Sequence, residues 1–483
     1  MPLLAPLEDF KPADLPERTQ SFWRMAGPGA ILVGLSIGAG EIVVWPRAVA
    51  AYGAGMIWAA GVGIFLQTWI NLEIARWTIA TGETVYTGYA RVWRGFAPLF
   101  LLLTVLGWIA PGWGQASGLA LKALLLTPDY GTGPEATGLA WLLGTQTFWT
   151  AASFAGVALL LFGPKLVYRS VEKTVEALVL AITVGLVAVA LAVGTLETWK
   201  ELGAGLVNFG YKHPDVPFKK FFIWLVFAGA GGTANLFYTF YLRDKNIGMG
   251  ARLPALTNAL RGRQETIPAT GYRFEDNAAN RARWRAWFSY IRTDQLVFFF
   301  ALNSFTIILF IFGALAVLHP RGIVPEENRL IYDQAVILGE VWGGTGRTIF
   351  LLVGMATLFS TQLALVDGVA RSMADIVYTN FAAARRRELG WWYLAIAGSW
   401  MAAGVALTAV MEWREISNLT FLLNAAYMGG FAMAVYVPLT LYLNLKHLPR
   451  CARPGPLCIA MMLCATLVYT GFAVYCLVTE FTG

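Results

Sequence analysis

Two short stretches carry the residues whose types and spacing could do chemistry. Gly38-Ala39-Gly40-Glu41 sits in the middle of one long apolar run, and Gly229-Ala230-Gly231-Gly232-Thr233-Ala234-Asn235 sits inside another. Glycine disfavours a helix by roughly 1 kcal/mol relative to alanine, and a carboxylate at bilayer depth is expensive. Helices carrying such residues at mid-depth are expected to break there, turning freed backbone groups toward a protein-lined cavity. Bare amides at the starts of two half-helices favour an anion. Thr233, Asn235 and Gln115 could add neutral hydrogen bonds to a small oxyanion. Glu41 fits this least, because a carboxylate repels an anion. Three readings of it stand. It heads the second half-helix and faces away from the ion; it pairs with a buried cation such as Arg47 or Lys122; or it ligates a hard divalent cation such as magnesium through oxygen and water. The plainer alternative for the glycines is that they let helices pack closely.

The elements that must position these residues are membrane spans. The 483 residues are 57% hydrophobic and 13% charged, too little charge for a soluble surface of this size. Runs of about 20 apolar residues, the length needed to cross a bilayer, fall at 27–50, 56–80, 96–126, 146–163, 171–196, 218–242, 294–318, 345–378, 391–411, 416–445 and 455–479, numbered here as spans 1 to 11. With the segment 1–26 in the cytoplasm, the inside segments carry 23 Lys and Arg and the outside segments 7. That asymmetry predicts an inner-membrane protein with a cytoplasmic N-terminus and, after an odd number of spans, an outside C-terminus. The net charge of +7 is read as this bias and not as a nucleic-acid patch. The first 26 residues are polar and unlike a cleavable leader.

Other chemistry is thin. Cys451, Cys458, Cys464 and Cys476 lie near the end without a paired spacing, so neither zinc nor a disulfide framework is signalled. His213, His319 and His447 fall in predicted loops. An enzyme would need a nucleophile with a base, or a metal cluster, inside the spans; no histidine and no spaced cysteine pair lies there, so no enzyme and no cofactor is expected. The loop 243–293 is too short and charged for a receptor's output domain. Its basic and aromatic run from Arg281 to Phe288 suits a helix lying in the membrane interface. Pro111 within Gly107–Gly114 is expected to kink span 3. Glu73 with Arg76, and Asp367 with Arg371, are spaced to meet on one helix face; Glu172, Lys173 and Glu176 are read as structural or gating charges. Asn424 is a candidate to reach the cavity, and Trp45, Trp58, Trp199 and Trp413 read as interfacial anchors.

Gly27-Pro28-Gly29 opening span 1, Leu66-Gln67-Thr68 and Ala80-Thr81-Gly82-Glu83-Thr84 in span 2, Asn235-Leu236-Phe237-Tyr238 after the second glycine run, and Phe359-Ser360-Thr361 in span 8 together resemble the Nramp (natural-resistance-associated macrophage protein) transporters. The resemblance covers roughly spans 1–10. It implies an all-α, LeuT-like polytopic fold: a first inverted repeat at 27–196, a second at 218–445, an eleventh helix at 455–479, and substrate held between broken spans 1 and 6, which alternating access would expose to each side in turn.

The departures from that family are specific. Its metal-binding aspartate and asparagine in span 1 correspond here to Gly38 and Glu41. The methionine and histidine of its span 6 correspond to Gly232 and Ala234, so the thioether that selects soft metals is absent. Proton-carrying acids on span 3 correspond to Gly112 and Gln115. The expected substrate site is therefore Gly38, Ala39, Gly40, Glu41, Gln115, Gly229, Gly231, Gly232, Thr233 and Asn235, holding a small inorganic anion such as bicarbonate, with a divalent cation (magnesium ahead of manganese) as the alternative. Sodium-coupled relatives of this fold use a hydroxyl pair on span 8 with span-1 carbonyls, which points to Gly34, Ile37, Ser360 and Thr361 as a coupling-ion site; a back-bonded polar pair is the plainer reading. The sequence leaves monomer or homo-oligomer open.

Overall fold

The computed structural model describes residues 4–25, 27–109, 111–133, 135–163, 167–254, 256, 268, 270–326, 329–416 and 418–482; the side chains of Trp23, Arg24, Ala39, 167–172, 418–422 and 481–482 lie outside the described residues. The side chain of Glu172 and the centre of the loop 243–293 are therefore not placed.

Among the described residues, nine helices are long and apolar enough to cross a membrane. They correspond to spans 1, 2, 3, 5, 7, 8, 9, 10 and 11. Span 4 is a bent pair, Gly138–Gly144 and Gln146–Phe162, turned by 69°. Span 6 is two short helices, Phe218–Val226 and Tyr238–Asp244, separated by a break. Span 3 divides at Pro111 into Phe96–Trp108 and Gly112–Leu125, as the missing backbone donor requires. Span 8 is the part of a 45-residue helix, Val336–Asn380, that follows a kink at Gly343, where φ is 56°.

The surface segments sort to two ends as the basic-residue count groups them. At one end the segment before span 1 pairs Lys11–Pro12 in parallel with Tyr272–Arg273. The Leu15 N–H donates to Asn280 Oδ1, the Gly271 N–H to Glu83, and the Cys451 N–H to Asp276. At the other end Arg329 holds Asp129 and Lys219 holds Glu480. Glu412 accepts the N–H groups of Gln146 and Thr147 that begin the long limb of span 4, satisfying donors a helix start leaves open.

Three expectations are corrected. The basic helix of the long loop, Ala278–Asp294, does not lie in the interface; it runs on into span 7, and Trp284 and Trp287 are buried, the latter donating to the Pro16 carbonyl. Its aromatic face covers the N-terminal segment. Trp45 is buried against Trp224 and is no anchor, whereas Trp199 and Trp413 are exposed. Asn424 is exposed, whereas the residues of the span-6 break are buried. Both anticipated charge pairs form: Arg76 with Glu73 and Arg371 with Asp367 each close at 2.8 Å.

Candidate functional site

The interruption of span 1 takes a different form from the unwound stretch expected. Pro28–Ser36 continues into a wide-turned π-helical segment, Ile37–Val44, and then into Trp45–Tyr52. The Trp45 N–H bonds the Gly40 carbonyl, five residues back. Such π segments concentrate at functional sites. The cause is visible at Thr361 of span 8. The Gly34 carbonyl and the Gly38 N–H would partner each other in a regular helix. Here the Gly38 N–H donates to Thr361 Oγ1 at 3.0 Å, and that hydroxyl donates back to the Gly34 carbonyl at 2.7 Å. Gly38 has no room for a side chain: a Cβ there would lie 2.3 Å from Thr361 Oγ1. With no exposed helix start in span 1, the first of the two expected amide clusters is absent, and Glu41 heads no half-helix.

Span 6 breaks as its glycines predict. The first half ends at Val226, Gly231 and Gly232 take φ of 71° and 50°, a left-handed backbone that only glycine adopts freely, and a 3-10 turn over Gly232–Phe237 leads into the second half. The break is filled by a side chain the sequence reading did not place there. Gln67 of span 2 donates through Nε2 to the Val226 carbonyl at 2.9 Å, and its Oε1 accepts the Gly231 N–H at 3.1 Å and Asn235 Nδ2 at 3.2 Å. A Cβ on Gly229 would lie 2.5 Å from that same oxygen. Asn235 also reaches the Tyr436 hydroxyl at 3.1 Å, which donates to the Gly232 carbonyl at 2.9 Å. Trp108 Nε1 donates to Thr233 Oγ1 at 2.7 Å. The Gly231 amide is therefore partnered and not bare. The sequence signals for Gln67, Tyr436 and Trp108 are weak: one of the two amides of span 2, the other being Asn71, and two aromatics among many.

The two interrupted segments touch. A Cβ on Gly40 would lie 1.4 Å from the Phe227 carbonyl oxygen, so only glycine permits this contact, as the close-packing alternative held. Of the residues expected to converge, Gly229, Gly231, Gly232, Thr233 and Asn235 do so around Gln67, with Gly40 against their upper edge. Gln115 does not: it donates to Thr408 at 3.1 Å and meets Met411 Sδ at 3.8 Å. Met411 lines a polar recess of about 630 Å³ at the end bearing Lys122, Asp129, Arg329 and Glu412. The backbone of Ala39 continues the π segment; its side chain is outside the described residues.

Glu41 is fully buried with neither oxygen hydrogen-bonded. Thr306 of span 7 faces it, but that hydroxyl donates to the Leu302 and Asn303 carbonyls, both at 3.1 Å. Neither expected cation partner joins it. Lys122 Nζ donates to the Gly144 carbonyl at 2.9 Å, and one Arg47 guanidinium nitrogen is buried without a partner. The expected coupling-ion residues do come together: Ser360 Oγ lies 3.4 Å from the Gly34 carbonyl and donates to Thr357 at 2.9 Å, beside Thr361 and the first π-helical residue, Ile37.

Beside the break, Trp108, Trp113, Gly114 and Gln362 enclose a cavity of about 30 Å³, enough for one water-sized group. Gln362 Nε2 is buried there without an acceptor. Among the described residues no group of three His, Cys, Asp or Glu could hold a metal ion. A second buried polar cluster lies at the end bearing the N-terminus. There Arg371 bonds Asp244 and Asp367, Tyr393 donates to Asp367 at 2.8 Å, and Asp375 receives Thr84 at 2.6 Å with Arg243 nearby at 3.4 Å. It ties the ends of spans 2, 6, 8 and 9 together.

No protein-family model matches this sequence, and no curated protein does. Solved structures do match in fold. A mutant of the manganese transporter of Eremococcus coleocola superposes with a TM-score of 0.65 at 14% identity, over 98% of this chain and 91% of that one. The same transporter with an aromatic bis-isothiourea substituted compound gives 0.64 at 14% identity, over 96% and 88%. MhsT in complex with L-phenylalanine gives 0.53 at 13% identity, over 95% and 98%. The chain is an integral membrane protein with the all-α, LeuT-like fold these transporters share.

Proposed function

We propose that this chain is a secondary-active transporter related to the Nramp proteins, carrying a small inorganic anion such as bicarbonate by alternating access, with sodium as the driving ion. The observation that carries the reading is the chemistry around the span-6 break. The groups gathered there are amides, hydroxyls, an indole and backbone, and the one carboxylate of the two interrupted segments, Glu41, faces Thr306 of span 7. The unpartnered Gln362 amide supplies a further donor beside Trp108. Neutral donors in a low-dielectric site bind an anion without the desolvation cost of a buried ion pair. The sidedness proposed is N-terminus cytoplasmic and C-terminus outside, from the positive-inside count.

A divalent cation, magnesium ahead of manganese, is the second reading; it is favoured by the unpartnered carboxylate of Glu41 and by the manganese transporter among the structural neighbours. Against it stands the single acidic ligand. Uptake of radiolabelled bicarbonate, manganese and magnesium into proteoliposomes, each with and without a sodium gradient, decides between them. Saturable, sodium-dependent bicarbonate uptake is expected. Saturable manganese or magnesium uptake with no bicarbonate uptake overturns the anion reading.

A further inference from the structure

We infer that Glu41 and Asn303 form a binding site for a hard monovalent cation, sodium in the first instance, at the meeting of the π segment of span 1, the break of span 6 and span 7. This deepens the transport reading, on which it rests only for the ion's role in driving substrate. The argument begins with a local imbalance. Glu41 Oε1, Glu41 Oε2 and Asn303 Oδ1 are buried acceptors without a hydrogen-bond partner, on residues with no exposed surface. The side chains that approach from the neighbouring elements have already spent their donors. Asn303 Nδ2 donates to the Ala228 carbonyl at 3.3 Å. The Thr306 hydroxyl is shared between two carbonyls of its own helix. Gln334 Nε2 donates to the Ile42 carbonyl at 2.9 Å, which leaves Gln334 Oε1 a further buried acceptor beside the same turn.

The groups are neighbours by an independent triangulation. Gly40 abuts the Phe227 carbonyl, the next residue, Ala228, holds Asn303, and Thr306, one turn along from Asn303, faces Glu41. A buried carboxylate and two buried amide oxygens left without partners, beside side chains whose own donors are committed, favour a positive charge, because each unpaired buried oxygen costs free energy. All the ligating atoms are oxygens, which suits a hard ion and not a soft one. The charge count then selects its valence. No Lys or Arg forms an ion pair with Glu41 among the described residues, so one carboxylate balances one positive charge. A divalent ion would leave a full charge uncompensated in the interior. The Ser360–Thr361 cluster is the less apt place for that cation: its hydroxyl protons are committed to carbonyls, and Thr361 Oγ1 already accepts the Gly38 N–H.

The test is cation binding by the purified full-length chain in detergent. It is read as the rise in thermal unfolding midpoint on adding sodium chloride against choline chloride at constant ionic strength, since a ligand of the folded state raises that midpoint. Wild type is expected to gain with saturation. Glu41→Gln, which keeps the shape and removes the charge, is expected to need at least tenfold more sodium for the same gain; Asn303→Ala is expected to need more than wild type, and Ser360→Ala to titrate as wild type does. Glu41→Asp, which keeps the charge, is expected to respond with weakened affinity and guards against a folding defect in the glutamine variant. The inference is overturned if wild type shows no sodium-specific gain, if Glu41→Gln titrates like wild type, if Ser360→Ala loses the response while Glu41→Gln keeps it, or if magnesium chloride acts at lower concentration than sodium chloride. Should bicarbonate uptake fail while these titrations behave as expected, the anion reading falls and the cation site stands.

Discussion

Gln67→Leu removes the side chain that fills the span-6 break while keeping its approximate volume. In the native chain Gln67 satisfies the Val226 carbonyl at 2.9 Å and the Gly231 N–H at 3.1 Å, and gives Asn235 Nδ2 a second acceptor at 3.2 Å. Asn235 keeps Tyr436 when Gln67 is lost. The Val226 carbonyl and the Gly231 N–H lose the side chain that partners them, and each buried orphan costs about 1–3 kcal/mol. The expected loss is therefore about 2–6 kcal/mol, a large part of the roughly 5–15 kcal/mol that separates folded from unfolded chains. Thr68→Val is the matched control. Its hydroxyl only back-bonds to Ile64 at 2.8 Å within the same helix, so its loss is expected to cost less than about 1.5 kcal/mol. Thermal unfolding in detergent, followed by size-exclusion chromatography after graded heating, reads both. If the leucine variant melts within experimental error of the valine variant, Gln67 is not what holds the break open, and the reasoning fails.

Gly40→Ala drives a methyl carbon to 1.4 Å from the Phe227 oxygen, so spans 1 and 6 must separate by about 2 Å to reach ordinary contact. The cost is expected to exceed the 1–3 kcal/mol of common overpacking, and the variant to lose monodispersity on size exclusion, whereas Gly61→Ala, which meets nothing within 4 Å, is expected to be neutral or stabilising. Arg371→Leu removes the cation that Asp244 and Asp367 share, leaving Asp367 only the Tyr393 hydroxyl and Asp244 the more distant Arg243 at 3.8 Å; a loss of about 3–5 kcal/mol is expected, read as a lowered unfolding midpoint, and the further change Asp367→Asn is expected to restore part of it.

How legible this was in the sequence varied with the range of the interaction. The span count and the break at Gly229–Asn235 follow from hydropathy and glycine content, which are local. The pairs Glu73–Arg76 and Asp367–Arg371 follow from helical spacing. The form of the span-1 interruption did not follow, because it depends on Thr361, more than 320 residues away in sequence, capturing the Gly38 N–H. The filling of the break failed for the same reason: nothing local separates Gln67, which enters it, from Gln115, which turns away to Thr408. The helix of residues 278–294 was misjudged because alternating basic and aromatic residues suit lipid headgroups and a peptide strap equally well, and here the strap won.

That strap constrains how the protein can be made. Leu15 finds its partner Asn280 across 265 residues, and the strand at Lys11–Pro12 has no edge to join until Tyr272–Arg273 has been synthesised. The leading segment must therefore wait, unclasped, while six spans enter the bilayer behind it, and the face it closes can only be sealed late in assembly. A fusion appended ahead of Leu4 would be carried through that whole delay, whereas one appended after the last span would not meet the clasp at all.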